Sequence, residues 1–134
     1  MPDNVGAEIK VVKMADFQVR AVSKYILGSP VKMRRMVNVV RGMRAQEALE
    51  VLSLLPQSAA VPVYKTIKSA VANAEENYAL DAEDMVIAQI AVDEGPRLRR
   101  ARYGARGRFK PIKKRMSHIT VVLEEDIQDL EEGR

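Results

Sequence analysis

The chain has 134 residues, of which 47% are hydrophobic and 30% charged, and its formal net charge is +4. This length suits one domain with a modest core, and the hydrophobic content excludes a fully disordered chain. The sequence has no cysteine and one histidine, so we predict no disulfide, no metal site, no cofactor and no catalytic residue. No apolar run approaches the roughly 20 residues that span a bilayer, and the acidic N-terminus is unlike a signal peptide. We therefore expect a cytoplasmic protein with no membrane partner and no small-molecule substrate.

A loose extension and a strand are predicted at the N-terminus. Residues 1–16 have mixed charge and weak periodicity, which is typical of an extension without a fixed structure. From Phe17 to Tyr25 the sequence alternates, which predicts a short strand. The residues predicted to share one side of this strand are Phe17, Val19, Ala21, Ser23 and Tyr25.

Three helices are predicted next. Ser29 and Pro30 suit the cap and first position of the first helix, and Gly42 suits the left-handed residue after its end. Arg44–Leu55 is predicted as the second helix, and a third is predicted from a Ser58 cap to about Asn77. Apolar residues at helical spacing predict buried stripes made of Met33, Met36, Val37, Val40, Ala45, Ala48, Leu49, Leu52, Leu55, Val63, Ile67, Ala70, Val71 and Ala74.

The first helix also carries a row of cations and no acid. Lys32, Arg34, Arg35 and Arg41 follow its polar side. A solvated face is the usual explanation for such a row, and contact with a polyanion is the alternative. A solvated face and a polyanion contact both remain open as interpretations at this point.

Two further strands are predicted in the C-terminal part. After a connection from Tyr78 to Asp84, Met85–Asp93 is rich in Val and Ile, and Ser117–Glu124 has a similar pattern. Residues 125–134 form an acidic C-terminal tail. Residues 17–124 are thus predicted as a single α+β domain.

The basic character of the chain is concentrated between these last two strands. Ten Lys or Arg residues lie from Arg97 to Arg115, and no acid occurs from Gly95 to Leu123. Removing these ten charges from the net charge of +4 leaves −6 for the other residues. Asp93 and Glu94 precede the segment, and we expect them to neutralise Arg97 or Lys114 locally, with a metal or acid pair as the less favoured alternative. Such a partition predicts a segment that inserts into a polyanion.

A disordered loop and a long two-stranded ribbon both fit the 24 residues between Asp93 and His118. A ribbon would project roughly 35–40 Å, and it would need a partner to supply packing and negative charge. Nucleic acid fits this requirement because Arg and Lys neutralise phosphates and release counterions. An anionic membrane is less favoured because the apolar residues do not line one helical face.

Five short motifs occur in a fixed order along the chain. They are Ser-Pro-x-Lys-x-Arg at 29–34, Arg-Gly at 41–42, Ser-Ala-x-Ala-Asn-Ala-Glu at 69–75, Val-Asp-Glu-Gly-Pro at 92–96, and Lys-Arg-x-Ser-His-Ile-Thr-Val-Val at 114–122. Together they resemble bacterial ribosomal protein twenty-two of the large subunit. The resemblance covers about Phe17 to Glu124. One departure lies at Tyr103-Gly104-Ala105, where many relatives have Pro-Arg-Ala.

The resemblance implies an α+β fold, with a three-stranded antiparallel sheet packed on three helices and a long protruding basic β-hairpin at about 93–118. It implies a structural constituent of the large ribosomal subunit that binds large-subunit ribosomal RNA and supports assembly. It also implies that the hairpin tip lines the nascent-peptide exit tunnel. The implied partners are this RNA, neighbouring large-subunit proteins and the nascent peptide, and we expect a monomer when the protein is isolated.

Charge pattern and resemblance together define the predicted site. The predicted RNA-binding residues are Lys24, Ser29, Lys32, Arg34, Arg41, Arg97, Arg99, Arg100, Arg102, Arg106, Arg108, Lys110, Lys113, Lys114, Arg115, Ser117 and His118. The predicted tunnel-lining residues are Leu98, Arg99, Arg100, Tyr103, Arg106, Gly107 and Arg108. The alternative function is a free-standing RNA-binding or RNA-chaperone module that uses the same segment. An enzyme is only a formal competitor, because no catalytic motif is present.

Overall fold

The computed structural model describes residues 18–125. The predicted N-terminal extension, Phe17 and the tail after Glu125 lie outside the described residues. The elements are, in chain order, β1 (Gln18–Leu27), α1 (Pro30–Val40), α2 (Ala45–Leu54), α3 (Ala60–Tyr78), β2 (Met85–Glu94), β3 (Leu98–Tyr103), β4 (Phe109–Lys114) and β5 (Met116–Glu125). Short 3-10 turns lie at Ala82–Asp84 and Ala105–Gly107.

Strands β1, β5 and β2 form an antiparallel sheet in that order, with β5 in the centre. Because side chains alternate along a strand, every second residue can face the same core. The buried residues of this sheet include Val19, Ile87, Ile90, Val92, Ile119, Val121 and Leu123. The α+β class and the three-stranded antiparallel sheet predicted from the sequence are therefore confirmed.

The three helices bury their apolar stripes against this sheet and against one another. Helix α3 packs on β1 and β5, α1 packs on β2, and α2 packs on α3. The predicted stripes are buried at Met33, Met36, Val37, Val40, Ala45, Ala48, Leu52, Val63, Ile67, Ala70, Val71 and Ala74, and are partly buried at Leu49 and Leu55. Helical spacing in the sequence thus locates the core correctly.

The predicted ends of α1 are right, and α3 ends at Tyr78, one residue after the predicted Asn77, but its predicted Ser58 cap is wrong. Helix α1 begins after Ser29, although the serine hydroxyl makes no capping hydrogen bond, and Gly42 follows its end at a φ of +79°. Helix α3 begins after Ala59 rather than Ser58. The Val61 N–H donates to the Ser58 carbonyl at 3.3 Å, so a backbone turn replaces the predicted side-chain cap.

The alternation predicted for β1 breaks at Tyr25. The pairing of β1 with β5 shifts between Ser23 and Ile26, which is the signature of a bulge. Tyr25 lies in this bulge with a φ of +59°, and 63% of its surface is exposed. The prediction that Tyr25 shares a side with Val19 was therefore wrong, because the bulge re-aims its side chain.

Strands β3 and β4 form a second, two-stranded antiparallel sheet. They lie between β2 and β5 in the chain. Glu94 pairs with Ser117 at the end of the first sheet, and Leu98 pairs with Lys114 at the start of the second. Three residues separate these pairs on the outgoing strand and two on the returning strand, so the register changes by one residue between the sheets.

We predict that the two sheets differ in their importance for stability. Replacing Ile119, which is 0% exposed in the central strand, with Ala should lower the free energy of unfolding by about 3 kcal/mol, because a buried cavity is created. The same replacement at Ile112 in β4, which is 38% exposed, should cost less than about 1 kcal/mol. Urea unfolding of both variants measures the difference, and equal losses would show that β4 belongs to the core.

Candidate nucleic-acid interface

The ten concentrated cations lie on or beside the second sheet. We call residues 97–115 the basic arm. Every residue of β4 is exposed, and every residue of β3 except the half-buried Leu98 is exposed. The Gly95 N–H donates to the Met116 carbonyl at 2.8 Å, so backbone pairing between the two chain segments continues to the base of the arm. The segment is thus two paired strands, which favours the ribbon over the disordered loop.

The register gives the basic arm two different faces. Residues directly opposite each other in an antiparallel pair have side chains on the same face of the sheet. One face, which we call the apolar face, carries the pairs Tyr103–Phe109, Ala101–Pro111 and Arg99–Lys113. The other, which we call the basic face, carries the pairs Arg102–Lys110, Arg100–Ile112 and Leu98–Lys114. The four apolar residues on the first face are therefore adjacent, a fact that their spacing in the sequence conceals.

The turn between β3 and β4 is tight. The Gly104 N–H donates to the Arg108 carbonyl at 2.6 Å, and the Gly107 N–H donates to the Gly104 carbonyl at 3.2 Å. Arg106 and Gly107 both have positive φ, at +59° and +69°. Glycine adopts this region without strain, whereas a left-handed arginine costs about 1 kcal/mol. The turn therefore displays Arg106 and Arg108 on a defined backbone.

Two hydrogen bonds fasten the start of α1 to the base of the arm. Ser117 is 0% exposed, and its hydroxyl donates to the Gly28 carbonyl at 2.9 Å. The Gly28 N–H donates in turn to the Arg115 carbonyl at 3.0 Å. The Ser117 hydroxyl is thus engaged inside the protein, and it positions the neighbouring backbone.

This fastening brings together cations that are distant in sequence. A groove at the base of the arm is lined by Leu27, Gly28, Ser29, Lys32, Lys113, Lys114 and Arg115. Lys32 of α1 therefore shares one concave surface with three cations of the arm. The sequence analysis predicts that α1 and the arm both contact nucleic acid. In the structure, the surfaces of these two parts are continuous at this groove.

Arg34 has a structural partner. Its guanidinium donates from Nε and from one terminal nitrogen to the Val92 carbonyl, at 3.2 and 3.1 Å. These bonds tie α1 to β2 near the arm. Neighbouring Arg35 is exposed, as are Lys24 in β1 and Arg41 at the end of α1. One cation of the predicted row is thus explained by the fold.

His118 holds the bulge of β1 in place. Its Nδ1 accepts a hydrogen bond from the Tyr25 N–H at 3.0 Å, and the two rings meet edge to face with centroids 5.0 Å apart. The sequence identified His118 as a candidate residue and missed Tyr25. No sequence signal reveals the tyrosine, because its exposure follows from a bulge that a regular alternation does not predict.

Acidic residues are scarce near the arm. A carboxylate oxygen of Glu94 lies 3.8 Å from a guanidinium nitrogen of Arg97. This ion pair agrees with the prediction that Glu94 neutralises Arg97. Within residues 18–125, no group of three or more His, Cys, Asp or Glu residues could hold a metal ion. In the same part of the chain, no helix is long and apolar enough to cross a membrane.

The described residues form an α+β body with one exposed basic arm, a combination that is typical of proteins that bind polyanions. Comparison with known proteins makes the assignment specific. Residues 21–124 match the family model described as ribosomal protein L22p/L17e. Two relatives named large ribosomal subunit protein uL22, from two strains of Desulfitobacterium hafniense, are each 45% identical to the chain over 108 residues. The aligned region spans 81% of this chain and 95% of each relative.

The chain therefore belongs to the ribosomal protein L22p/L17e family. This membership confirms the resemblance to bacterial ribosomal protein twenty-two that the five motifs indicate. It makes the chain a structural, non-enzymatic component of the large ribosomal subunit. The ribosomal reading is thus favoured over a free-standing RNA-binding module.

We predict that Arg34 and Arg35 differ in their effect on the fold. Arg34→Gln should lower the free energy of unfolding by about 1 kcal/mol, because the two bonds to the Val92 carbonyl are lost. Arg35→Gln, the matched control one residue away, should change it by less than about 0.5 kcal/mol. Thermal unfolding of the isolated variants checks this, and an unchanged midpoint for Arg34→Gln would exclude the structural role.

Proposed function

We propose that the chain binds large-subunit ribosomal RNA and that the basic arm is its main contact. The observation that carries this proposal is the partition of charge, with ten cations in residues 97–115 and no acid between Gly95 and Leu123. Seven of these cations are arginines, whose planar guanidinium groups can hold phosphate oxygens in a bidentate manner. Ten like charges within one arm repel one another, and a polyanion relieves that repulsion.

The groove at the base of the arm extends the proposed contact toward the body. Lys32, Lys113, Lys114 and Arg115 line it together, so one cation of α1 and three of the arm share one open surface. An RNA backbone that follows the arm would reach this groove without leaving the basic surface. Ser29 also lines the groove, whereas Ser117 supports its wall from inside.

The arm is proposed to protrude from the body as a hairpin and to reach the nascent-peptide exit tunnel. Its strands pair with each other, and their exposed side chains leave it free to enter a cleft in RNA. Family membership supports the tunnel location, since the resemblance implies that the tip lines it. The residues proposed to do so are Leu98, Arg99, Arg100, Tyr103, Arg106, Gly107 and Arg108. Neighbouring large-subunit proteins and the nascent peptide are the further proposed partners, and a role in subunit assembly follows from RNA binding.

We predict that RNA affinity depends on where a cation lies and not on net charge. If about six cations reach phosphates, the logarithm of the association constant should fall with log salt at a slope of about −4 to −5. Replacing the cross-strand pair Arg102 and Lys110 with Gln should reduce the magnitude of this slope by about 1.5. Fluorescence anisotropy with a fragment of large-subunit RNA, titrated at several salt concentrations, measures the slope.

The matched control for this experiment removes the same charge elsewhere. Lys65 and Lys68 are exposed on α3, and their replacement with Gln should leave the slope unchanged. Equal effects of the two double variants would mean that RNA responds to the net charge alone. That result would contradict the arm as the principal contact.

We predict that the arm is dispensable for folding but is required to form the proposed part of the tunnel lining. Replacing residues 99–113 with Asn-Gly would leave Leu98 and Lys114, which already pair, as the flanks of a two-residue turn. The shortened chain should unfold at the same temperature or higher, because charge repulsion is removed. Ribosomes that carry it as their only copy should show altered sensitivity to macrolides. Unchanged sensitivity, with the variant present in large subunits that sediment at high salt, would contradict the tunnel assignment.

A further inference from the structure

We propose that the apolar face of the basic arm is a stacking site for an unpaired RNA base, centred on Tyr103 and Phe109. This inference rests on the proposed RNA binding and assigns different contacts to the two faces. The basic face follows phosphates, whereas the apolar face receives the flat surface of a base. The base stacks on the aromatic pair, and it also contacts the small and flat side chains of the neighbouring Ala101–Pro111 pair.

The placement of the aromatic pair supports this assignment. Tyr103 and Phe109 are directly opposite each other at the last pair before the turn. Their side chains are 77% and 65% exposed, so the fold itself gains little from them. Two exposed aromatic residues that pair across the end of a ribbon indicate a surface that a partner covers.

A shallow depression continues from Phe109 along the same strands. It is lined by Arg99, Ala101, Phe109, Pro111 and Lys113 of the apolar face, and also by Arg100 and Ile112, whose pair the register assigns to the basic face. Small or flat side chains at Ala101 and Pro111 leave room beside the Phe109 ring. Arg99 and Lys113 pair across the far end of the apolar face. A base that lies on Phe109 would therefore have cations at hand for its phosphate.

The cations around the apolar face indicate which partner would cover it. The apolar face is bordered by cations, with Arg99 and Lys113 on the same face and Arg108 adjacent to Phe109 in the chain. An ordinary apolar protein surface brings no negative charge to balance them. A single-stranded nucleic acid combines an apolar ring face with a phosphate on every residue. In a duplex the ring faces are covered by neighbouring bases, so an unpaired nucleotide is the partner that fits.

The turn geometry holds this platform in position. The Gly104 N–H bond to the Arg108 carbonyl closes the ribbon directly after the aromatic pair. The Lys110 side chain passes close to Gly104, where a Cβ would lie 2.5 Å from the lysine Cε. The glycine therefore leaves space for Lys110 on the opposite face. Both contacts hold the backbone in place at the end of the arm, next to Tyr103 and Phe109.

The test uses the full-length protein and two RNA probes of equal length. One is a single-stranded oligonucleotide that carries a 2-aminopurine base, and the other is a duplex. The variant Tyr103→Leu with Phe109→Leu keeps apolar side chains but removes both ring faces. We expect its affinity for the single strand to fall about 10- to 100-fold, with the salt slope and the duplex affinity unchanged. The 2-aminopurine fluorescence should be quenched by the intact protein and not by the variant.

Two control variants complete the experiment. Phe109→Tyr in the presence of Tyr103 keeps both rings and should preserve affinity and quenching. Leu54→Ala removes an exposed apolar side chain from α2, outside the arm, and should leave the quenching unchanged. Circular dichroism should show the same melting curve for all variants, because none of the replaced side chains is buried.

Three results would overturn the stacking site. One is an equal loss of affinity for single strand and duplex, which would indicate a general disturbance of the arm. Another is quenching that persists in the double-leucine variant. The third is unchanged RNA binding together with lost binding to vesicles of phosphatidylglycerol, which would make the apolar face a lipid contact. Absence of RNA binding by the intact protein would instead contradict the proposed function itself.

Discussion

The antiparallel pairing of β2 with β5 is the constraint on which both parts of the molecule depend. On one side these two strands supply the buried residues Ile90 and Val121, against which the helices pack. On the other side the same two chain segments continue, through the Gly95–Met116 hydrogen bond, into β3 and β4. The core thus fixes the position from which the basic arm starts. A ribbon that has little core of its own gains its direction from the body.

The base of the arm is also where the body joins the proposed RNA surface. The buried Ser117 hydroxyl and the Gly28 backbone hold the start of α1 against the start of β5. Lys32 is thereby placed beside Lys113 and Lys114. Arg34, which the sequence groups with Lys32, instead reinforces the packing of α1 on β2. Two cations on one helix thus have different surroundings, and only the packed structure separates them.

Much of the fold was predictable because periodicity reports burial directly. The apolar stripes of the three helices and the Val- and Ile-rich strands have that property, and the structure confirms them. Tyr25 was misplaced because a bulge depends on the pairing of two distant segments. Ser58 was misplaced because a local backbone turn takes the place of its side-chain cap. The charge of the arm was visible in the sequence, but its two faces were not. They depend on which residue of β3 lies opposite which residue of β4, and a shift by one residue would give different pairs.

The register change between the two sheets has a consequence for how this segment can vary in length. The connection has three residues on the outgoing side, 95–97, and two on the returning side, 115 and 116. Since side chains alternate, the parity of this connection determines which surface of the ribbon faces a given direction relative to the body. Deleting one residue from the outgoing side would make the two sides equal and remove the register change, whereas deleting one residue from each side would turn the aromatic surface toward the place now occupied by the cations. Changes of an even number of residues on each side of this junction therefore preserve the orientation of the ribbon relative to the body.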